Sequence, residues 1–200
     1  MRNRITCFLF LGFALFSCTD NKPPHWIFKE QIQLEGISPV GIALEEENLW
    51  LSDPDNNRVV KTDLQGKVLK ELTNLQRPMH ITSVNGKLYI PQYLTDTISI
   101  IENGKKYVLP LSVKLNAPAG IAVHGNTVAI ADFYNHRIIL KEGEQETIIG
   151  KEGHSPGELY YPTDVEIYND RIYVADAYNN RVQVFDKEGN NLTIIGANDN

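Results

Sequence analysis

Residues 118–141 read PAGIAVHGNTVAIADFYNHRIILK, and their alternation of short apolar runs and turn residues decides the fold. Gly120 to Val123 is one apolar strand, and His124-Gly125-Asn126 turns the chain. Thr127 to Ala131 is a second strand, closed by Asp132. Phe133 to His136 is a loop, and Arg137 to Lys141 is a third strand. After Glu142-Gly143-Glu144, Glu146 to Ile149 supplies a fourth. Short strands separated by Gly, Asn and Asp are a hairpin-rich pattern. Nowhere in the chain do apolar residues hold helical spacing over a long window, so helical repeats are excluded.

The stretch is one of four copies. Aligned on Pro39, Pro78, Pro118 and Pro162, the copies start 39, 40 and 44 residues apart. Fourteen positions on stand Asp53, Gln92, Asp132 and Asp176; nineteen positions on stand Arg58, Thr97, Arg137 and Arg181. Such a period means stacked units, none able to bury its apolar face alone. Four antiparallel strands per forty-residue unit predict an all-β chain of β-propeller blades, at about 38–74, 75–114, 115–159 and 160–200.

These residues carry a family resemblance. LWLSDPDNNRVV (49–60), IADFYNHRI (130–138) and IYVADAYNNRVQVFD (172–186) closely resemble NHL repeats. The resemblance covers residues 38–200 and is specific in copies one, three and four. Copy two is degenerate, with Gln92, Thr95 and Thr97 in place of Asp, Asn and Arg. NHL propellers usually have six blades, so the resemblance implies four blades of an incomplete six-bladed ring. Trp26 to Leu34 reads as an additional strand of the kind that closes such rings. Residues 191–196 already give the last copy a fourth strand, so one outer strand is left over, and end-to-end association of an open arc is expected.

The recurring Asp-x-x-Asn-x-Arg set reads as scaffold, because three blades share it. Asp can accept loop N–H groups, Asn tolerates left-handed backbone, and Arg can pair with the Asp as a fork. Asp53 with Arg58, Asp132 with Arg137 and Asp176 with Arg181 are thus expected to be structural staples. Binding should sit where the copies differ. The third repeat position reads Gly41, His80, Gly120 and Asp164, at the start of each innermost strand. His80 and Asp164 are the candidate channel-rim contacts, joined by the loop tyrosines Tyr134 and Tyr178, with Tyr93, Tyr160 and Tyr161 adding aromatic surface. His124, His136 and His154 read as exposed turn histidines. Some NHL-like six-bladed lyases set several histidines around a metal near the third position. Here one copy has a histidine, which falls short of a metal site. No catalytic residue and no cofactor are expected; calcium or zinc would find its first donors at His80 and Asp164.

Residues 1–17 read as a signal peptide. Arg2 and Arg4 precede an apolar run from Ile5 to Phe16. That run is too short for a bilayer span, which needs roughly 20 residues, and suits a secretory signal. Leu15-Phe16-Ser17-Cys18 resembles the lipobox of bacterial lipoproteins, which implies lipidation at Cys18 and a membrane-anchored place in the bacterial cell envelope. Residues 18–25 read as a tether to a propeller domain at 26–200. The other cysteine, Cys7, lies in the signal segment, so the domain has no disulfide.

The chain carries 19 Lys and Arg against 25 Asp and Glu, a formal charge of −6. That balance argues against nucleic acid, which calls for clustered cations. The leading expectation is a binding platform for a peptide, glycan or protein partner. The alternative is a propeller-type lyase or lactonase with a channel metal, its catalytic blades lying partly beyond residue 200.

Overall fold

The computed structural model describes residues 27–28 and 31–196. The signal segment, Cys18 and the tether lie outside the described residues. The described residues from 32 to 196 form one compact unit.

The architecture is a four-blade β-propeller, each blade a four-stranded antiparallel meander. Blade 1 holds β1 Gly41–Glu45, β2 Asn48–Asp53, β3 Arg58–Asp63 and β4 Val68–Leu72. Blade 2 holds β5 Thr82–Val84, β6 Lys87–Gln92, β7 Thr97–Glu102 and β8 Lys105–Val108. Blade 3 holds β9 Pro118–His124, β10 Thr127–Asp132, β11 Arg137–Glu142 and β12 Gln145–Ile149. Blade 4 holds β13 Asp164–Tyr168, β14 Arg171–Asp176, β15 Arg181–Phe185 and β16 Asn191–Ile195. In blades 1, 3 and 4 the link between the second and third strands is a single 3₁₀ turn.

Three core clusters correspond to the three seams between blades. Ala43, Trp50 and Val59 of blade 1 meet Ile81, Leu88 and Ile90 of blade 2. Ile98 meets Ile121, Val128, Ile130 and Ile139. Ala129, Ala131, Ile138 and Leu140 meet Val165, Ile172, Val174 and Phe185. The period of two therefore serves both faces of blade 3. Along β10, Val128 and Ile130 fill one seam while Ala129 and Ala131 fill the next, and every residue of the strand is buried. Each fully buried aliphatic side chain contributes roughly 1.5–3 kcal/mol. In β1, by contrast, Gly41 and Ala43 are buried while Ile42 and Leu44 are exposed.

The expected strand at Trp26 to Leu34 is absent from its described part: Ile27, Phe28 and residues 31–34 carry no strand pairing. The segment that follows spends its backbone differently. The carbonyl of Gly36 accepts from Asn56 and Arg58, side chains of blade 1, rather than from a neighbouring strand.

Candidate functional site

Strand direction alternates within a blade, so the loops after the second strands and the links between blades gather at one end of the propeller. Two sets of hydrogen bonds fix that end. In the first, a buried carboxylate gathers its own loop. Asp132 accepts from Asn135 and from Arg137 Nε, each at 2.8 Å, and from the Asn116 N–H at 2.7 Å. Asp176 accepts from Asn179 at 2.9 Å, Arg181 Nε at 2.7 Å, Gln183 at 3.0 Å and the Tyr160 N–H at 2.7 Å. Asp53 accepts from Asn56 and Arg58 at 2.8 Å. The arginines do not form the expected fork. One carboxylate oxygen takes a backbone N–H of the preceding link in blades 3 and 4, leaving the other for Nε. The free Nη2 turns to link carbonyls: Gly36, Lys114, and Ser155 with Glu158. Blade 2 keeps the arrangement without charge. Gln92 accepts from the Gln76 N–H at 3.0 Å and donates to Ser99 and Thr97.

The second set joins each blade to the next and has no counterpart in the sequence reading. Asn57, Asp96 and His136 share one repeat position and one left-handed backbone conformation, with φ of 53°, 56° and 52°. Their side chains accept the N–H groups of Arg77, Ala117 and Tyr161 at 2.9, 2.8 and 3.1 Å. These donors each precede a repeat proline and are themselves left-handed, with φ of 53°, 52° and 51°. His136 is therefore not the exposed turn residue expected from its neighbours. It is 8% exposed and stacks on Tyr160 with ring planes 12° apart, because its Nδ1 is needed as an acceptor between blades. His124 and His154 are exposed.

The third repeat position works through pairs of unlike residues. A Cβ on Gly41 would lie 2.8 Å from the Cα of His80, and one on Gly120 would lie 2.7 Å from the Cα of Asp164. Each glycine thus lets the inner strand of the following blade come close. His80 Nδ1 then stands 3.4 Å from Asp164 Oδ2. The pair borders an axial cavity of about 530 Å³, whose walls include Ile42, Leu44, Ile121 and Glu166. Protein surrounds Asp164 although solvent still reaches it through the cavity. Burial pushes its carboxyl above the usual carboxylate range, opposed by the charge of His80 and the Val165 N–H.

Beside the cavity the loops form an aromatic shelf across blades 2, 3 and 4. Phe133 is its hub, with ring centroids 6.0 Å from Tyr93, 5.0 Å from Tyr134, 5.0 Å from Tyr161 and 6.2 Å from Tyr178. Tyr160 continues it, 4.6 Å from Tyr161. Tyr134 and Tyr178 are 48% and 60% exposed, so the shelf presents ring surface to solvent instead of filling a seam. Burial, with Tyr134 adding a hydrogen bond, pushes the Tyr93 phenol up to about 12, which keeps it a neutral donor and acceptor. Phe133 escaped the sequence reading, although its register matches that of Tyr93.

Among the described residues, no group of three or more His, Cys, Asp or Glu side chains is placed to hold a metal ion. His80 and Asp164 are each other's partners, and two donors do not make a closed site. The residues present do not fit a channel metal.

Comparison with known proteins agrees with this geometry. The NHL repeat family model matches residues 115–139 and 159–185, within blades 3 and 4. The chain is a β-propeller in which blades 3 and 4 carry NHL repeats. No curated protein sequence matches it. Among solved structures, it resembles one from the nidogen/laminin complex at 22% identity and a TM-score of 0.68, over 80% of this chain and 65% of that one. A streptogramin B lyase resembles it at 18% identity and a TM-score of 0.64, over 77% and 53%. The virginiamycin B lyase of Staphylococcus aureus does so at 19% and 0.61, over 77% and 54%. Likeness of this degree defines the fold. The chain spans between 53% and 65% of the length of these three chains.

Proposed function

We propose that the chain is a binding platform whose partner lies on the aromatic shelf. The observation that carries this reading is the exposure of Tyr134 and Tyr178 on a shelf of six contacting rings held by stapled loops. Rigid aromatic surface at the loop end of a scaffold offers contact area at little entropic cost. The double variant Tyr134→Ala/Tyr178→Ala should lose at least tenfold in affinity for a partner recovered from peptide or glycan arrays, with its Tm within about 2 °C of the parent. Full binding by that variant would sink the reading.

A lyase is the second reading, favoured by the His80–Asp164 pair in the cavity and by the likeness to two lyases. Cleavage of a streptogramin B by the purified chain, lost in His80→Ala, would replace the platform with an enzyme.

The platform also has a proposed address. Lipidation at Cys18 would hold it at the bacterial envelope, and stable anchoring requires more than one acyl chain. In a bacterial host, Cys18→Ser should move the protein from the membrane pellet to the soluble fraction. An unchanged pellet fraction would refute the anchor.

A further inference from the structure

The shelf and the axial cavity share one end of blade 4. Tyr161 precedes Asp164 by three residues, a reach of at most about 10 Å. A ligand of ordinary peptide size lying on the rings therefore meets the cavity mouth.

The cavity has a definite chemical preference. Asp164 and Glu166 are alternate residues of β13, so both carboxylates point to the axial side. Among the described residues, no lysine or arginine lines the cavity. Some carboxylates elsewhere have lysine counter-ions: Glu142 pairs with Lys187, Glu146 with Lys141 and Glu158 with Lys151. Glu166 has no ion pair among the described residues, and Asp164 has only His80, a cation only when protonated. Ile42, Leu44 and Ile121 line the same cavity as the two acids. Low-dielectric walls around like charges focus the field and attract an opposite charge. Aliphatic walls beside carboxylates suit a charged head on an apolar stem.

We infer that the platform's ligand is a basic peptide segment of a protein, one lysine or arginine side chain entering the axial cavity towards Asp164 and Glu166 while its flanking residues lie on the aromatic shelf. This inference rests on the platform reading and adds the charge and class of the partner. A free amine would fill the cavity but leave the rings unused, whereas a peptide engages both. The upward-shifted carboxyl of Asp164 is consistent with a group whose charge lacks compensation until the ligand arrives. The chain's net charge of −6 steers such a partner towards it.

A random heptapeptide library displayed on phage, selected on the purified chain, tests this. The selected sequences should be enriched in lysine or arginine. The best of them, made with a fluorescent label, should lose at least tenfold in affinity when its basic residue is acetyl-lysine or glutamine. The same loss is expected with Asp164→Asn/Glu166→Gln, whose Tm should stay close to the parent's because the exchange keeps shape at two solvent-accessible side chains. Affinity should also fall between 50 and about 300 mM salt. Selection of neutral or acidic peptides overturns the inference, as does indifference to acetylation. If Tyr134→Ala/Tyr178→Ala abolishes binding while Asp164→Asn/Glu166→Gln leaves it intact, the platform stands and the basic anchor falls. Enrichment of no peptide over bait-free controls also overturns the inference, and a glycan bound through the tyrosines would then leave the platform reading in place.

Discussion

Replacing Asp176 by alanine is expected to lower stability by about 3–5 kcal/mol, the cost of breaking a buried ion pair from one side. For a chain of this size that corresponds to a fall in Tm of roughly 6–20 °C. The carboxylate is wholly buried and accepts from Arg181, Asn179, Gln183 and the Tyr160 N–H. Alanine leaves all four donors short, and the Arg181 side chain is only 7% exposed. Asp132→Ala should cost less, because Arg137 is 20% exposed and fewer donors converge. Asp53→Ala should cost least, since Arg58 also reaches Glu71. Thermal and urea melts of the three variants check both magnitude and order. Arg181→Ala should likewise lower Tm while leaving binding specificity intact. Undiminished melting with lost ligand binding would instead make these loops part of the site.

The scaffold was legible because its chemistry repeats by residue type. Pro, Asp and Arg recur in register, and the strand pattern between them gives the blades directly. The bonds between blades were not legible, because the structure there needs an acceptor and tolerates left-handed backbone, and nothing more. An amide at Asn57, a carboxylate at Asp96 and an imidazole at His136 all meet that need. Identity comparison sees three unrelated residues, and His136 consequently reads as solvent-exposed. The degenerate second blade carries the same lesson. Gln92, Ser99 and Thr97 rebuild the bond to the link with neutral groups. A neutral network of this kind avoids the desolvation cost of a buried charge pair.

At the candidate site, departures from the repeat were informative and convergence was not. His80 and Asp164 stand out because they replace glycine, and the fold sets them 3.4 Å apart. The shelf draws on four repeat positions: those of Tyr93 and Phe133, of Tyr134 and Tyr178, of Tyr160, and of Tyr161. Only packing of blade on blade brings these together, and a one-dimensional register cannot display it. The described part of the segment from Trp26 to Leu34 lacks the expected strand for a related reason. Alternation in sequence does not say whether a neighbouring strand is available, and the Gly36 carbonyl is taken by side chains.

The glycine at position 120 carries the second large effect. Gly120→Ala should cost about 1–3 kcal/mol, the range for forcing extra volume into packed structure, and lower Tm by roughly 2–12 °C. Its new Cβ would stand 2.5 Å from Asp164 Oδ1, 2.7 Å from Asp164 Cα and 3.0 Å from the Thr163 carbonyl. A side-chain oxygen can rotate away, but the other two contacts are backbone. The inner strand of blade 4 must therefore shift, and Val165 and Ile167 would be drawn from a seam where each is 4% exposed. Because the obstruction is mostly backbone, Asp164→Gly on the Gly120→Ala background should recover only part of the loss. Complete recovery would mean that the side chain alone sets the spacing. A parent-like melt for Gly120→Ala would mean that the blades do not meet as closely as this geometry requires. The same close approach places Asp164 beside His80, so the glycine that stabilises the seam also builds the acidic wall of the cavity. Its substitution should weaken basic-peptide binding together with stability, whereas Asp164→Asn should separate the two.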